Sequence, residues 1–125
     1  MTDVRIFHYA NCSSCRKALT ALQASGLEIE ERDIFRQRLT ANEIRGILTE
    51  LGQSPHDLLS RRSTPFRELG LAEKTLSEDE LIQLMSEHPA LIRRPVILGS
   101  NEHLVGFSAK ALGEMIASIE RGKTQ

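Results

Sequence analysis

The sequence predicts an α/β fold in which a four-stranded mixed sheet is interrupted by a helical insertion. Three observations carry this. The stretch up to Asp33 alternates strand, helix and strand patterns. The middle of the chain holds two capping boxes, each opening an amphipathic helix. From Pro95 onward the chain reads as a hairpin followed by a helix.

Val4-Arg5-Ile6-Phe7-His8-Tyr9 is short, β-branched and aromatic, the signature of a strand. The polar turn Ala10-Asn11-Cys12-Ser13-Ser14 follows. A helix is expected from about Ser14 to Ser25, stopping at Gly26, a residue free to take the left-handed conformation that ends helices. The second strand covers Leu27 to Asp33, and Glu28 to Arg32 reads mostly as its solvated edge. Strand, helix and strand this close form a βαβ unit with parallel strands and a right-handed crossover. In Thr40-Ala41-Asn42-Glu43 the Thr hydroxyl takes one free helix N–H and Glu43 reaches back to another. Ile44, Ile47, Leu48 and Leu51 then form an apolar stripe at helical spacing, ended by Gly52. Pro55 to Leu59 adds a further helical turn. Ser77-Glu78-Asp79-Glu80 opens a helix with Leu81, Ile82, Leu84 and Met85 on one face. Pro95-Val96-Ile97-Leu98 and His103-Leu104-Val105-Gly106 flank the turn Gly99-Ser100-Asn101 as a hairpin. A last helix starts near Ser108 and carries Leu112, Met115, Ile116 and Ile119. The C-terminal Arg121-Gly122-Lys123-Thr124-Gln125 is expected to fray. In this order the elements make a single thioredoxin-like domain. Residues 1–35 and 93–125 form its core and residues 36–92 the helical insertion.

Length and composition bound the function. The chain has 125 residues, the size of one domain, and 40% hydrophobic residues exclude global disorder. With 16 basic and 17 acidic residues the net charge is −1, so no bulk field draws the chain to nucleic acid or anionic lipid. No apolar run approaches the roughly 18 residues of a membrane span. The opening MTDVRIFHYANC lacks the basic-then-apolar order of a secretory signal. The expectation is a cytoplasmic monomer. In that compartment thiols are kept reduced, so Cys12 and Cys15 point to catalysis, redox sensing or metal binding rather than to a structural bridge.

Cys12-Ser13-Ser14-Cys15 lies between the first strand and the first helix. A zinc site needs about two further soft ligands, and the histidines at 8, 56, 88 and 103 show no pairing that would supply them, so no metal is expected. Two buried cysteines acting as small apolar residues are the bland alternative. The polar Asn11, Ser13 and Ser14 around them speak against it. A redox pair has a direct mechanism. Cys12, just before the helix, faces its free N–H groups, which stabilise a thiolate. Cys15 falls within the first turn, where its sulfur can reach that of Cys12. Cys12 is then the nucleophile and Cys15 the resolving thiol.

His8-Tyr9-Ala10-Asn11-Cys12-Ser13-Ser14-Cys15-Arg16 resembles the active-site loop of the glutaredoxin-coupled arsenate reductase family, with His8, Cys12 and Arg16 at matching spacings. Pro65-Phe66-Arg67-Glu68-Leu69-Gly70-Leu71-Ala72 resembles a segment from the middle of those reductases. His88-Pro89-Ala90-Leu91-Ile92-Arg93-Arg94-Pro95 resembles their His-Pro…Leu-Ile-x-Arg-Pro signature, which carries an oxyanion-binding arginine. The resemblance runs over nearly the whole chain in matching order and implies the same thioredoxin-like fold. The family has a second branch, the Spx-type regulators of bacterial RNA polymerase, with the same fold and a Cys-x-x-Cys switch. The stretches from Cys12 to Ala18, Ser60-Arg61-Arg62-Ser63, Leu91 to Pro95 and Val105-Gly106-Phe107 look more like that branch. The reductases carry a further arginine that aligns with Gly106 and a proline that aligns with Ala10. The regulators' polymerase-contacting glycine aligns with Ser54, beside Gly52.

The resemblance also implies site residues. An oxyanion beside a thiolate needs cations and aimed N–H donors, and guanidinium forks bind oxyanions bidentately. Arg94 and Arg16 are the leading candidates, followed by Arg62, Arg61 and Arg93. Each is weighed against an ordinary solvated arginine. Pro95 is expected to be cis and to face the active-site cysteine, as the proline opening the third strand does in thioredoxin-like folds. His8 could stabilise the thiolate or orient the loop, or simply pack at a strand end. His88 reads as a helix-terminal residue, His56 and His103 as surface. The implied activity is that of a thiol–disulfide oxidoreductase. Cys12 attacks arsenate or a related oxidised or disulfide substrate, and Cys15 or external glutathione resolves the adduct. No bound cofactor is expected; glutathione with glutaredoxin, or thioredoxin, would supply electrons. The alternative is a non-enzymatic, redox-switched regulator that binds RNA polymerase.

Overall fold

The computed structural model describes residues 2–123. The chain divides into two compact units, with residues 34–93 packing as one and the segments before and after them as the other.

The sheet unit holds β1 (Val4–His8), β2 (Ile29–Asp33), β3 (Val96–Leu98) and β4 (His103–Val105) in the order β2-β1-β3-β4. β1 and β2 are parallel, in register from Val4↔Ile29 to His8↔Asp33. β3 runs antiparallel to β1, with Ile6 opposite Ile97, and β4 antiparallel to β3, with Ile97 opposite Leu104. This is a four-stranded mixed sheet with a thioredoxin-like chain path, as the pattern predicts. The central strands are apolar where they meet the helices: Val4, Ile6 and Ile97 are fully buried in one core. β2 lies at an edge, which is why its Ile-Glu-Glu-Arg-Asp sequence tolerates charge.

Helices α1 (Ser13–Ala24) and α6 (Ala109–Lys123) pack together and close one core with the sheet. Ala18, Leu22, Leu112 and Met115 join Val4, Ile6, Leu27 and Ile97 in it, and Leu104, Ile116 and Ile119 flank it. α1 ends at Ser25, followed by Gly26 at φ 83°, the left-handed residue that the sequence places there. At Gly99 the β3–β4 turn presses on α6: a Cβ would stand 2.9 Å from Met115 Cε and 3.1 Å from the Glu102 carbonyl oxygen. Two expectations need correction. The helix does not fray at Arg121 but continues through Lys123, whose Nζ lies 2.8 Å from Asp3 Oδ2; Thr124 and Gln125 lie outside the described residues. His103 is not a plain surface residue but half-buried in β4, with Nδ1 shielded from solvent.

The helical unit contains α2 (Ala41–Leu51), α3 (Pro55–Leu58), α4 (Thr64–Glu68) and α5 (Glu78–Glu87), with 3-10 turns at Leu71–Glu73 and Pro89–Leu91. Both expected capping boxes form. Glu43 N–H donates to Thr40 Oγ1 at 3.1 Å and Thr40 N–H to Glu43 Oε1 at 2.9 Å. Glu80 and Ser77 repeat the exchange at 3.1 Å each way. The apolar stripes then meet: α2 and α3 both pack on α5, burying Ile44, Ile47, Leu48, Leu58, Leu81, Ile82 and Met85. Backbone bonds tie the C-terminal end of this unit to the segment after α3, from Ser60 N–H to the Leu91 carbonyl (2.7 Å) and from Arg93 N–H to the Leu58 carbonyl (2.9 Å). Among the described residues no helix is long and apolar enough to cross a membrane.

Candidate functional site

The site forms where β1 hands the chain to α1. Leaving the strand, Tyr9 accepts the Cys12 N–H on its carbonyl at 3.0 Å, which folds residues 9–12 into a turn. Ala10 N–H donates to Asp33 Oδ2 at 3.2 Å, and Asn11 Nδ2 donates to Tyr9 Oη at 3.1 Å. Cys12 is the N-cap of α1, in extended conformation (φ −92°, ψ 121°). Its carbonyl accepts the Arg16 N–H at 3.0 Å, the first bond of the helix. An N-cap residue stands outside the helix beside the first-turn N–H groups; Cys12 makes no side-chain cap hydrogen bond, but the Cys15 backbone N–H acts on its sulfur. Cys12 is half-buried, whereas Cys15, on the inner face of the first turn, is fully buried; both are free thiols.

The two thiols are driven apart in acidity. Burial alone would raise the Cys12 pKa, but the Cys15 backbone N–H, the Cys15 thiol and the Arg94 guanidinium all favour its thiolate, and the net shift is downward. Cys15 is pushed up to about 12, first by burial, then by its hydrogen bond to Cys12 and the negative charge there. The Tyr9 backbone and Arg94 oppose this only in part. One sulfur is thus made ready to ionise while its neighbour keeps its proton and donates it as a hydrogen bond.

Arg94 reaches the loop from the start of β3. The Arg94–Pro95 peptide bond is cis, as the resemblance implies, and Pro95 is buried, its carbonyl accepting the Gly106 N–H at 2.8 Å. The Arg94 guanidinium carbon lies 5.5 Å from the centroid of the Tyr9 ring. Gly106, where the reductases' further arginine aligns, adopts φ 87°, a conformation that only glycine takes cheaply.

Of the residues singled out in the sequence, Cys12, Cys15 and Arg94 therefore come together in the sheet unit, with Pro95 next to Arg94 in the chain. Arg16 is on α1 with its side chain exposed. His8 ends β1 and is buried, with Nε2 3.6 Å from Glu31 Oε2. Arg61 and Arg62 belong to the helical unit, where they line a cleft of about 450 Å³ with His56, Asp57, Ser60 and Arg93. Arg93 Nη1 donates to the Asp57 carbonyl at 3.2 Å. Among the described residues no group of three or more His, Cys, Asp or Glu side chains is placed to hold a metal ion. Tyr9 and Asp33 were not singled out by sequence reasoning, although each supports the loop. Their one signal was position, Tyr9 directly after a strand and Asp33 at the end of the strand paired with it.

Comparison with known proteins agrees with this geometry. The sequence pattern of the ArsC family matches residues 7–115. The chain is 38% identical over 98 residues to "Global transcriptional regulator Spx 1" of Lactococcus lactis, covering 78% of this chain and 77% of that one. It is 31% identical over 122 residues to "Regulatory protein MgsR" of Bacillus subtilis, covering 98% and 94%. Among solved structures, a possible arsenate reductase from Streptococcus mutans superposes with a TM-score of 0.75 at 25% identity, covering 90% of this chain and 99% of that one.

Proposed function

Since this chain belongs to the ArsC family, we propose that it is a dithiol redox protein in which Cys12 is the nucleophile, Cys15 the resolving thiol and Arg94 the anion-holding cation. The observation that carries the reading is the opposite displacement of the two thiols around one guanidinium. A thiolate is the reactive form of cysteine, and a second thiol within reach resolves its adduct once it has given up its proton. In the reductase reading the Cys12 thiolate attacks an oxidised substrate: from arsenate it displaces an oxygen that leaves as water, and from a disulfide it displaces one sulfur as a thiolate. Arg94 offsets the negative charge gathered at the sulfur. Cys15 then gives up its proton and attacks Cys12, closing an internal disulfide and releasing the reduced product. Glutathione with glutaredoxin, or thioredoxin, returns two electrons to the pair, and the chain itself carries no cofactor. Arg16 is a further candidate for holding the anion, and His8 for setting the loop. A cytoplasmic location suits a centre that must be kept reduced.

A second reading is favoured by the names of the relatives, a global transcriptional regulator at 38% identity and a regulatory protein at 31%. In it the same Cys12–Cys15 pair is a switch, and the partner is RNA polymerase rather than a small substrate. One experiment separates the two. NADPH consumption is followed with arsenate, with glutathione and glutaredoxin in one cuvette and thioredoxin with its reductase in another. Turnover in either supports the enzyme. No turnover in both, together with capture of purified RNA polymerase that depends on the redox state of the pair, supports the regulator.

A further inference from the structure

We propose that Tyr9 is a positioning residue whose aromatic face holds the Arg94 guanidinium at the Cys12 sulfur. The proposal rests on the redox reading above and deepens it. The ring centroid lies 5.5 Å from Arg94 Cζ, inside the range of about 6 Å over which a cation is drawn to the negative face of an aromatic ring. The ring is itself fixed. Its hydroxyl accepts from Asn11 Nδ2 at 3.1 Å, and its backbone carbonyl accepts the Cys12 N–H at 3.0 Å. The residue that cradles the cation is therefore also the residue that folds the cysteine loop, so the two halves of the site share one support.

The chemistry explains why a ring serves here. A guanidinium is flat, and its N–H donors lie in its plane. Attraction to the ring face holds the cation without a hydrogen-bond acceptor, so its N–H donors are not consumed by the group that positions it. A carboxylate in the same place would compete for those donors and cancel the charge that Arg94 offers to Cys12. An aliphatic side chain would fill the space but exert no pull on the cation. The predicted specificity is thus for anions at Cys12, exerted by Tyr9 through Arg94.

The test compares Cys12 alkylation by anionic iodoacetate with alkylation by neutral iodoacetamide, in the full chain. Tyr9→Leu should lower the iodoacetate-to-iodoacetamide rate ratio by about two- to fivefold and move the pH profile of alkylation upward. Tyr9→Phe keeps the ring and should restore the ratio. In an Arg94→Ala background Tyr9→Leu should change the ratio no further, because the cation it positions is gone. Where Tyr9→Leu disturbs folding, phenylalanines of increasing ring fluorination at position 9 preserve the shape and weaken the negative face, and the ratio should fall stepwise along the series. A ratio that ignores fluorination, or a Tyr9→Leu effect that persists without Arg94, overturns the proposal. If Arg94→Ala itself leaves the ratio at the wild-type value, it is the underlying assignment of Arg94 that fails.

Discussion

Cys12 and Cys15 sit around one guanidinium yet are pushed in opposite directions in acidity, the Cys12 thiol downward and the Cys15 thiol up to about 12. Burial raises both thiols, and the donors and the Arg94 charge reverse the direction only at Cys12. Cys15 is sealed inside the first turn of α1, where a charge would be poorly solvated, while Cys12 is half-buried and meets donors.

Cys12 alone should therefore react with alkylating agents near neutral pH. Alkylation rate follows the thiolate fraction, so a lowered pKa moves the rate–pH curve to the acid side of the free-thiol value of about 8.5. Site-resolved mass spectrometry of iodoacetamide-treated protein should find Cys15 unmodified across that range. A Cys12 curve centred at or above the free-thiol value would refute the assignment.

The same shifts make stability depend on pH. In the unfolded chain Cys15 ionises near about 8.5, but in the fold only near about 12, so the fold favours its protonated form. That contribution is complete below the unfolded value and is lost as pH rises toward 12. Cys12 works in the opposite sense: its contribution is present above the unfolded value and lost as pH falls through the lowered one. The urea midpoint of the reduced protein should drop from pH 7.5 to pH 10, and drop less in Cys15→Ser. Equal drops would contradict the burial argument.

Mild peroxide should convert the pair to an internal disulfide. The thiolate of Cys12 is oxidised first, and Cys15, already hydrogen-bonded to it, closes the ring faster than a second molecule can arrive. Intact mass under non-reducing conditions should show the loss of two hydrogens. A lasting sulfenic acid on Cys12 would count against Cys15 as the resolving thiol.

Replacing Arg94 should cost anion binding in two grades. Arg94→Lys keeps the charge but loses the planar fork, while Arg94→Ala loses both. Removing a charge-assisted hydrogen bond is worth about tenfold or more in anion affinity, so the iodoacetate rate of Arg94→Ala should fall by at least that factor. The iodoacetamide rate should fall less. Equal losses for both reagents would mean that Arg94 acts only on the sulfur.

Gly106→Arg, which supplies the residue that aligns in the reductases, should destabilise the fold. At φ 87° an L side chain crowds its own carbonyl, a penalty of about 1–2 kcal/mol. Gly106→Ala should cost a similar amount by urea titration, since the strain lies in the backbone. An unchanged midpoint for either would show that the turn relaxes freely.

Much of this molecule was legible because local chemistry wrote it. The capping boxes at Thr40 and Ser77 signal their helices through residues three apart, and both form with the expected bonds. Gly26 and Gly52 end helices because nothing else takes their φ so readily. Boundaries drifted where tertiary pairing decides. Leu27 reads as strand from its side chain, but β2 begins at Ile29, where the parallel register with β1 starts. α4 went unseen because its start, a Ser63 oxygen accepting Phe66 N–H at 3.3 Å, lacks the acidic partner that flags a capping box. In the site, the cysteines were legible from spacing. Tyr9 was not, since a contact with Arg94 across 84 intervening positions leaves no periodic trace.

Both rims of the sheet are closed to a newcomer. β2 carries exposed Glu30 and Glu31 along one rim, and β4 at the other is only three residues long. Charged and short outer strands give an arriving chain little to template on. This fixes how a larger species should be interpreted after oxidative stress. A slow band on a non-reducing gel would report sulfur joining two molecules, and dithiothreitol should dissolve it. Fibre growth would need a seam of backbone that this sheet does not offer.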